Sequence, residues 1–93
     1  MSQTISGQKT VTTAGTAVVL GTLTVNCEIV IKALDTNTDV IALGDDGSGS
    51  VTTANGYRLT AGETCILRVG NLSNVWLNSA VNGEGVSWIK LSC

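Results

Sequence analysis

The sequence predicts an all-β fold, a single small antiparallel β-sandwich or barrel of about seven to nine short strands. Threonine, valine and isoleucine dominate the chain, and these β-branched side chains fit a pleated sheet better than a helix. Short apolar runs alternate with clusters of glycine, asparagine and aspartate at intervals of about ten residues, which is typical of a sandwich or barrel. With 93 residues, the chain has the length of one domain.

The first third of the chain contains a polar segment, two short strands and the strongest strand of the sequence. Residues 1–7 have no core to join, so we expect a flexible N-terminal arm in front of a β domain spanning residues 8–93. Strands are predicted at Gln8–Thr13 and Thr16–Leu20. The third strand is Val25–Leu34, where alternation places Cys27, Ile29, Ile31 and Ala33 on one face and Glu28, Val30, Lys32 and Leu34 on the other.

The middle of the chain is rich in turns. Asp35–Asp39 has side chains that hydrogen-bond to their own backbone, and a short strand, Val40–Leu43, follows it. Gly44–Ser50 is expected to be the most flexible loop. Val51–Ala54 is predicted as a weak strand before the tight-turn dipeptide Asn55-Gly56.

The last third alternates more regularly between strands and turns. Turns are predicted at Thr60–Glu63 and Asn82–Gly85. The predicted strands are Tyr57–Leu59, Thr64–Val69, Val75–Ser79 and Val86–Leu91.

Composition argues against several classes of function. Charged residues are 13% of the chain and hydrophobic residues 43%, which excludes an intrinsically disordered chain. The net charge is −2, and the five basic residues are scattered singly, whereas a nucleic-acid binder needs a basic stripe. Histidine, the commonest general base and metal ligand, is missing. We therefore expect no enzymatic activity, no cofactor, no metal and no nucleic-acid partner.

The sequence also gives expectations about membranes and location. No apolar run reaches the ~18 residues of a membrane-spanning helix, so we expect no membrane partner. The polar N-terminus lacks the basic start and the apolar stretch of a secretory signal. We therefore expect synthesis and folding in a cytoplasm.

The three cysteines, Cys27, Cys65 and Cys93, have none of the short spacings that zinc or redox sites use. Cys27 and Cys65 each lie in an apolar run, where cysteine behaves as a small hydrophobic side chain. A disulfide between Cys27 and Cys65 is the alternative, although a cytoplasmic origin argues against it. Cys93 is expected to be exposed or to lie in a subunit contact.

Two groups of carboxylates could carry chemistry, but their spacing favours neither. One group surrounds a glycine-bearing loop and consists of Asp35, Asp39, Asp45 and Asp46. These residues do not match the spacing of a twelve-residue calcium loop, so a solvated loop is favoured. The other group, which could serve acid–base cleavage of a glycosidic bond, consists of Glu28, Glu63 and Glu84. Nothing in the sequence brings any two of these together.

A domain of this size with two tryptophans, one tyrosine and eleven glycines has a thin margin of stability, and no disulfide framework is expected to support it. We therefore expect it to form oligomers or to bind a larger assembly. Trp76 shares a face with Asn74 and Asn78, which favours partial exposure of Trp76. The sequence pattern does not decide whether Trp88 lies on the buried or the exposed face of its strand. The candidate interface residues are Ser2, Gln3, Thr4, Ile5 and Ser6 in the arm, together with Trp76 and Trp88.

Four stretches of the sequence carry a resemblance to a known group of proteins. They are T-V-T-T-A-G-T-A-V-V-L at Thr10–Leu20, I-V-I-K-A-L-D-T-N-T at Ile29–Thr38, N-G-Y-R-L-T-A-G-E-T at Asn55–Thr64 and N-L-S-N-V-W-L-N-S-A-V-N-G-E-G-V-S-W at Asn71–Trp88. Together they resemble small all-β proteins and terminal domains encoded among the structural genes of tailed bacteriophages. The three cysteines, Cys93 in particular, depart from that pattern.

The resemblance implies a structural protein of the virion that binds other virion subunits. By analogy with icosahedral shells, we expect a homotrimeric capsid decoration (cement) protein on the outer surface of the head, bound to the major capsid protein at local three-fold positions. Two alternatives stay open: a tail or fibre module that recognises a host surface glycan or protein, and a tail-tube or connector subunit. The polar arm, residues 1–7, is expected to order on contact with the capsid or a neighbouring subunit.

Overall fold

The structure, a computed structural model, describes residues 5–44 and 51–91 of the chain. Within these residues it contains eight β-strands and one short 3₁₀ helix, Leu72–Asn74. The strands are β1 (Ser6–Val11), β2 (Val18–Val19), β3 (Thr24–Ala33), β4 (Ile41–Leu43), β5 (Tyr57–Leu59), β6 (Thr64–Asn71), β7 (Trp76–Ser79) and β8 (Glu84–Lys90). No helix in this described part of the chain has the length and apolar character needed to cross a membrane.

The strands form two four-stranded antiparallel sheets, which confirms the predicted all-β class. Sheet A has the order β1-β8-β3-β6, and sheet B has the order β2-β7-β4-β5. The first strand pairs with the last, the second with the seventh, the third with the sixth and the fourth with the fifth. The chain is therefore one long hairpin whose two arms cross together from sheet to sheet. A double-sheet sandwich wound in this way is a jelly roll.

The hydrophobic core lies between the sheets and is formed by one face of each strand. In β3, the predicted alternation is confirmed, because Cys27, Ile29, Ile31 and Ala33 are all buried. Sheet B contributes Ile41, Leu43, Leu59 and Leu77 to the same core. Trp88, whose side the sequence left open, also faces this core and is only 9% exposed.

The N-terminal boundary of the domain differs from the prediction. Ser6 and Gly7 pair with Ile89 and Trp88 of β8, and the carbonyl of Ile5 accepts a hydrogen bond of 2.8 Å from the N–H of Lys90. Residues 5–7, which the sequence assigned to a flexible arm, therefore belong to the sandwich. Gly7 packs closely against the indole of Trp88, because a Cβ atom at position 7 would lie 3.0 Å from Cζ2 of Trp88. Residues 1–4 of the predicted arm lie outside the described residues.

The predicted weak strand Val51–Ala54 is wrong. These residues lead into a turn in which the carbonyl of Thr52 accepts a hydrogen bond of 2.9 Å from the N–H of Gly56. Val51 is 2% exposed, and a Cβ atom at Gly56 would lie 2.6 Å from Val51 Cγ2 and 2.8 Å from Ala42 Cβ. The turn therefore packs on the outer face of sheet B. Residues 45–50 of the predicted flexible loop lie outside the described residues.

A polar cluster with buried and exposed members joins the crossover after β3 to the start of β8. We call it the Glu84 cluster: Asn37, Thr38, Asp39, Glu84 and Gly85. The side chain of Asn37 donates to the carbonyl of Gly85 at 2.9 Å and accepts from its N–H at 3.2 Å. The carboxylate of Glu84 accepts hydrogen bonds from the Thr38 hydroxyl at 2.7 Å, from the Asp39 N–H at 3.2 Å and from the Thr38 N–H.

The environment of Glu84 has opposing effects on its acidity. Burial raises the pKa of the carboxyl, but the hydrogen bonds donated by Thr38 and Asp39 stabilise the charged form and outweigh it. The net result is a pKa below the ordinary value for glutamate. The carboxylate of Glu84 is therefore ionised at neutral pH and holds three donors of the neighbouring crossover.

The close approach of β1 and β8 at Gly85 gives a stability prediction. A Cβ atom on Gly85 would lie 2.1 Å from the carbonyl oxygen of Lys9, so we expect G85A to lower the free energy of unfolding by about 3 kcal/mol or more. G83A is the matched control, because Gly83 has a φ of +83° but no atom within 4 Å of its Cβ position. Its cost is that of a left-handed alanine, about 1–2 kcal/mol. Urea unfolding of both variants measures the difference, and equal losses would contradict the close-approach account.

The Glu84 cluster also predicts a dependence of stability on pH. Because the folded-state pKa of Glu84 lies below its unfolded value, its carboxylate adds stability above about pH 4.3 that is lost as the pH falls through the folded-state pKa. We expect E84Q to be less stable at neutral pH and to lose less stability on acidification than the unsubstituted protein. E63Q is the comparison, because hydrogen bonds from Thr60 also lower the pKa of Glu63, but on an exposed turn. If E84Q loses as much stability on acidification as the unsubstituted protein does, Glu84 is not the source of that pH dependence.

Candidate interaction surfaces

The outer face of sheet A carries a row of apolar side chains, which we call the apolar row: Ile66, Val30 and Ile89. The three residues are direct neighbours across β6, β3 and β8, because Val30 pairs with both Ile66 and Ile89. Ile66 is 60% exposed, Ile89 is 39% exposed and Val30 is half-buried. The row therefore leaves apolar surface in contact with solvent on the side of the sheet that faces away from the core.

Polar and charged side chains border the apolar row on both sides. On one side, Glu28 of β3 pairs with Arg68 of β6. On the other side, Lys32 pairs with Thr64, and its Nζ lies 3.5 Å from Oδ2 of Asp35. A shallow depression of about 420 Å³ runs along the row from β6 to β1, with Val30, Lys32 and Ile89 in its lining. An apolar centre with a polar border is the usual make-up of a protein-binding surface.

A second surface lies at the edge of sheet A, where β6 has no neighbouring strand among the described residues. We call it the open edge: strand β6 and the cleft beneath it. The core-side residues of β6, Cys65, Leu67 and Val69, are only half-buried although they pack against the core. The cleft of about 170 Å³ beneath them is lined on the opposite side by Leu43, Tyr57 and Val75. Tyr57 is 66% exposed.

The thiol of Cys65 lies in the open edge. Cys65 is a free cysteine, and burial raises the pKa of its thiol above the ordinary value. The thiol is therefore protonated at neutral pH, which is the less reactive form of cysteine. In this position Cys65 acts as the small apolar side chain that the sequence predicts.

The structure changes the interpretation of the other cysteines. Cys27 is disulfide-bonded, so it is more than a small apolar side chain, and the expectation that no disulfide supports the domain is wrong. The alternative pair of Cys27 with Cys65 is also wrong, because Cys65 is free. Sγ of Cys27 lies 2.9 Å from the carbonyl oxygen of Leu91, so β3 contacts the end of the described chain at this point. Cys93 lies outside the described residues.

The predicted interface residues fall in different places. Ser2, Gln3 and Thr4 lie outside the described residues, Ile5 packs against the core, and Ser6 is exposed in β1 and lines the depression of the apolar row. Trp76 is half-buried in β7, as its pattern predicts, and pairs with Val19. Trp88 is a core residue. Of the members of this set that the structure describes, Ser6 and Trp88 line the depression beside the apolar row.

The described carboxylates form no metal-binding arrangement. In residues 5–44 and 51–91, no three histidine, cysteine, aspartate or glutamate side chains are grouped closely enough to hold a metal ion. Asp45 and Asp46 of the predicted acidic loop lie outside that range. Glu84 is committed to the hydrogen bonds of its cluster, which the sequence did not predict.

The residues of the apolar row were missed by the sequence analysis. Alternation does place Ile66 on the same face as Arg68, which identifies it as outward-facing. Its partners Val30 and Ile89 become neighbours only through the strand register, which the sequence pattern does not give. No protein-family model, curated protein or solved structure matches this chain.

Proposed function

We propose that this chain is a structural protein of a tailed-bacteriophage virion, a decoration protein that binds the outer surface of the head as an oligomer. The observation that carries the proposal is the apolar row, which exposes Ile66 and Ile89 on the outer face of sheet A, bordered by charged residues. Exposed apolar surface with a polar border marks sites of association between proteins. The partners proposed are the major capsid protein and further copies of the chain, with a trimer favoured by analogy to the local three-fold positions of a shell.

The architecture and the sequence motifs support the same proposal. Jelly rolls occur in viral capsid proteins and in lectins, although a fold alone does not determine function. Among these classes, the resemblance of stretches such as Asn71–Trp88 to phage structural proteins favours a virion protein. The disulfide at Cys27 also fits, because disulfides persist on the surfaces of virions.

The small size of the apolar row is compatible with attachment to a shell. Complete burial of one isoleucine or valine side chain stabilises a complex by about 1.5–3 kcal/mol, and these three are already partly buried. A single contact of this kind is weak. When several linked copies bind a repeating lattice, the effective concentration of each further contact makes the sum strong.

A second candidate function rests on Tyr57. A tail or fibre module that recognises a glycan needs an exposed aromatic ring, and Tyr57 is 66% exposed beside the cleft of the open edge. Gly44, the first residue of the predicted flexible loop, lines the same cleft. A glycan array separates the candidates: binding that Y57A abolishes would favour host recognition over decoration.

The proposal is tested on particles produced from the genome that encodes the chain. We expect quantitative mass spectrometry of purified particles to find the protein in many copies, and I89K to reduce its occupancy because a charge interrupts the apolar row. V81K is the matched control, since Val81 is 37% exposed and Ile89 is 39% exposed, but Val81 lies in the turn before β8. Absence of the protein from particles, or equal occupancy of the two variants, would overturn the proposal.

A further inference from the structure

The four outer strands of the two sheets differ in how they are protected from pairing with another chain. Natural proteins protect such edges with short strands, charged residues or bulges. β2 has two residues, β5 has three, and β1 carries Lys9. β6 has eight residues, T-C-I-L-R-V-G-N, and Arg68 is its only charged residue. Within the described residues, β6 is therefore the longest edge strand, and apart from Arg68 and the irregularity of its pairing with β3 between Thr24 and Cys27 it carries none of these protections.

The core-side residues of β6 show that this edge also leaves apolar surface uncovered. Cys65, Leu67 and Val69 face the interior but remain half-buried, because sheet B offers only the three residues of β5 at its corresponding edge. An additional strand alongside β6 would extend sheet A and would place its own inward side chains next to these three residues. The edge thus combines unpaired backbone with apolar side chains on the same strand.

We propose that β6 pairs with β6 of a second copy of this chain, in an antiparallel contact centred on Leu67 with a two-fold axis perpendicular to sheet A. The two four-stranded sheets then become one eight-stranded sheet, and the core-side faces of both copies stay on the same side. This inference goes beyond the proposed function, because it names the strand through which two copies meet and a two-fold contact distinct from the trimer favoured there by analogy.

The sequence of β6 complements itself in this register. On the core side, Leu67 lies opposite Leu67 of the second copy, and Cys65 lies opposite Val69, so apolar residues meet apolar residues. On the outer side, Ile66 lies opposite Arg68, whose aliphatic stem can cover it. A pairing centred on Arg68 would instead place two arginines directly opposite each other, which is destabilising. Charge therefore selects against that neighbouring register.

Disulfide trapping between exposed positions tests both the contact and its register. I66C and R68C are made separately in a C65A background, so that the free thiol of Cys65 is removed and the core-side position stays apolar. In the proposed register, position 66 lies opposite position 68 of the other copy, at the Cα separation of ~4.5–5.5 Å that a disulfide spans. Each variant alone should cross-link poorly, because identical positions are then two residues out of register.

The readout is the yield of covalent dimer in a glutathione redox buffer at high micromolar protein concentration. We expect the equimolar mixture of I66C and R68C to give roughly tenfold more dimer than either variant alone, because pairing raises the effective concentration of the two thiols. Unchanged circular dichroism of both variants, at these exposed positions, shows that the fold is kept. Equal yields in all three samples, a higher yield from I66C alone, or no dimer would each overturn the proposal.

Discussion

The constraint on which the structure depends is the repeated crossing of two paired arms from one sheet to the other. At the crossings, asparagine side chains add hydrogen bonds to those of the backbone, such as the 2.8 Å bond from the N–H of Gly83 to the carbonyl of Val11. Asn82 accepts a bond of 2.7 Å from the N–H of Ala14, and Asn71 donates one of 3.1 Å to the carbonyl of Thr22. Asn37 pairs with Gly85 in both directions. In the described part of the chain, every buried side-chain nitrogen or oxygen has a partner.

This requirement explains much of the unusual composition. The buried carboxylate of Glu84 and the amide of Asn37 are used to join crossovers, and Gly85 lets the backbones of β1 and β8 approach each other. The outer face of sheet A, away from these crossovers, combines the apolar row with charged and polar residues such as Glu28, Arg68 and Lys32.

The sequence predicts those parts of the fold that depend on neighbouring residues. Alternation in β3 identifies its core face, and the strand Tyr57–Leu59 has the predicted bounds. The pairing of Asn37 with Gly85 could not be predicted, because 48 residues separate them and neither side of the contact has a local signature. The burial of Glu84 was missed for the same reason, since a glutamate after Asn82-Gly83 has the pattern of an exposed turn. Likewise, alternation shows that Ile66 points outward, but only the register places it beside Val30.

The two surfaces of sheet A are connected through Ile66, which belongs both to the apolar row and to the outer side of β6. If two copies pair at β6 around Leu67, their apolar rows lie on the same outer face of one continuous sheet. The rows are then offset by two residues, a step of about 7 Å along the strands. Self-association would therefore convert two small, weak surfaces into one stepped apolar band. A band of this kind offers two linked contacts for each dimer to any partner surface that repeats, which is the arrangement in which a weak individual contact becomes sufficient.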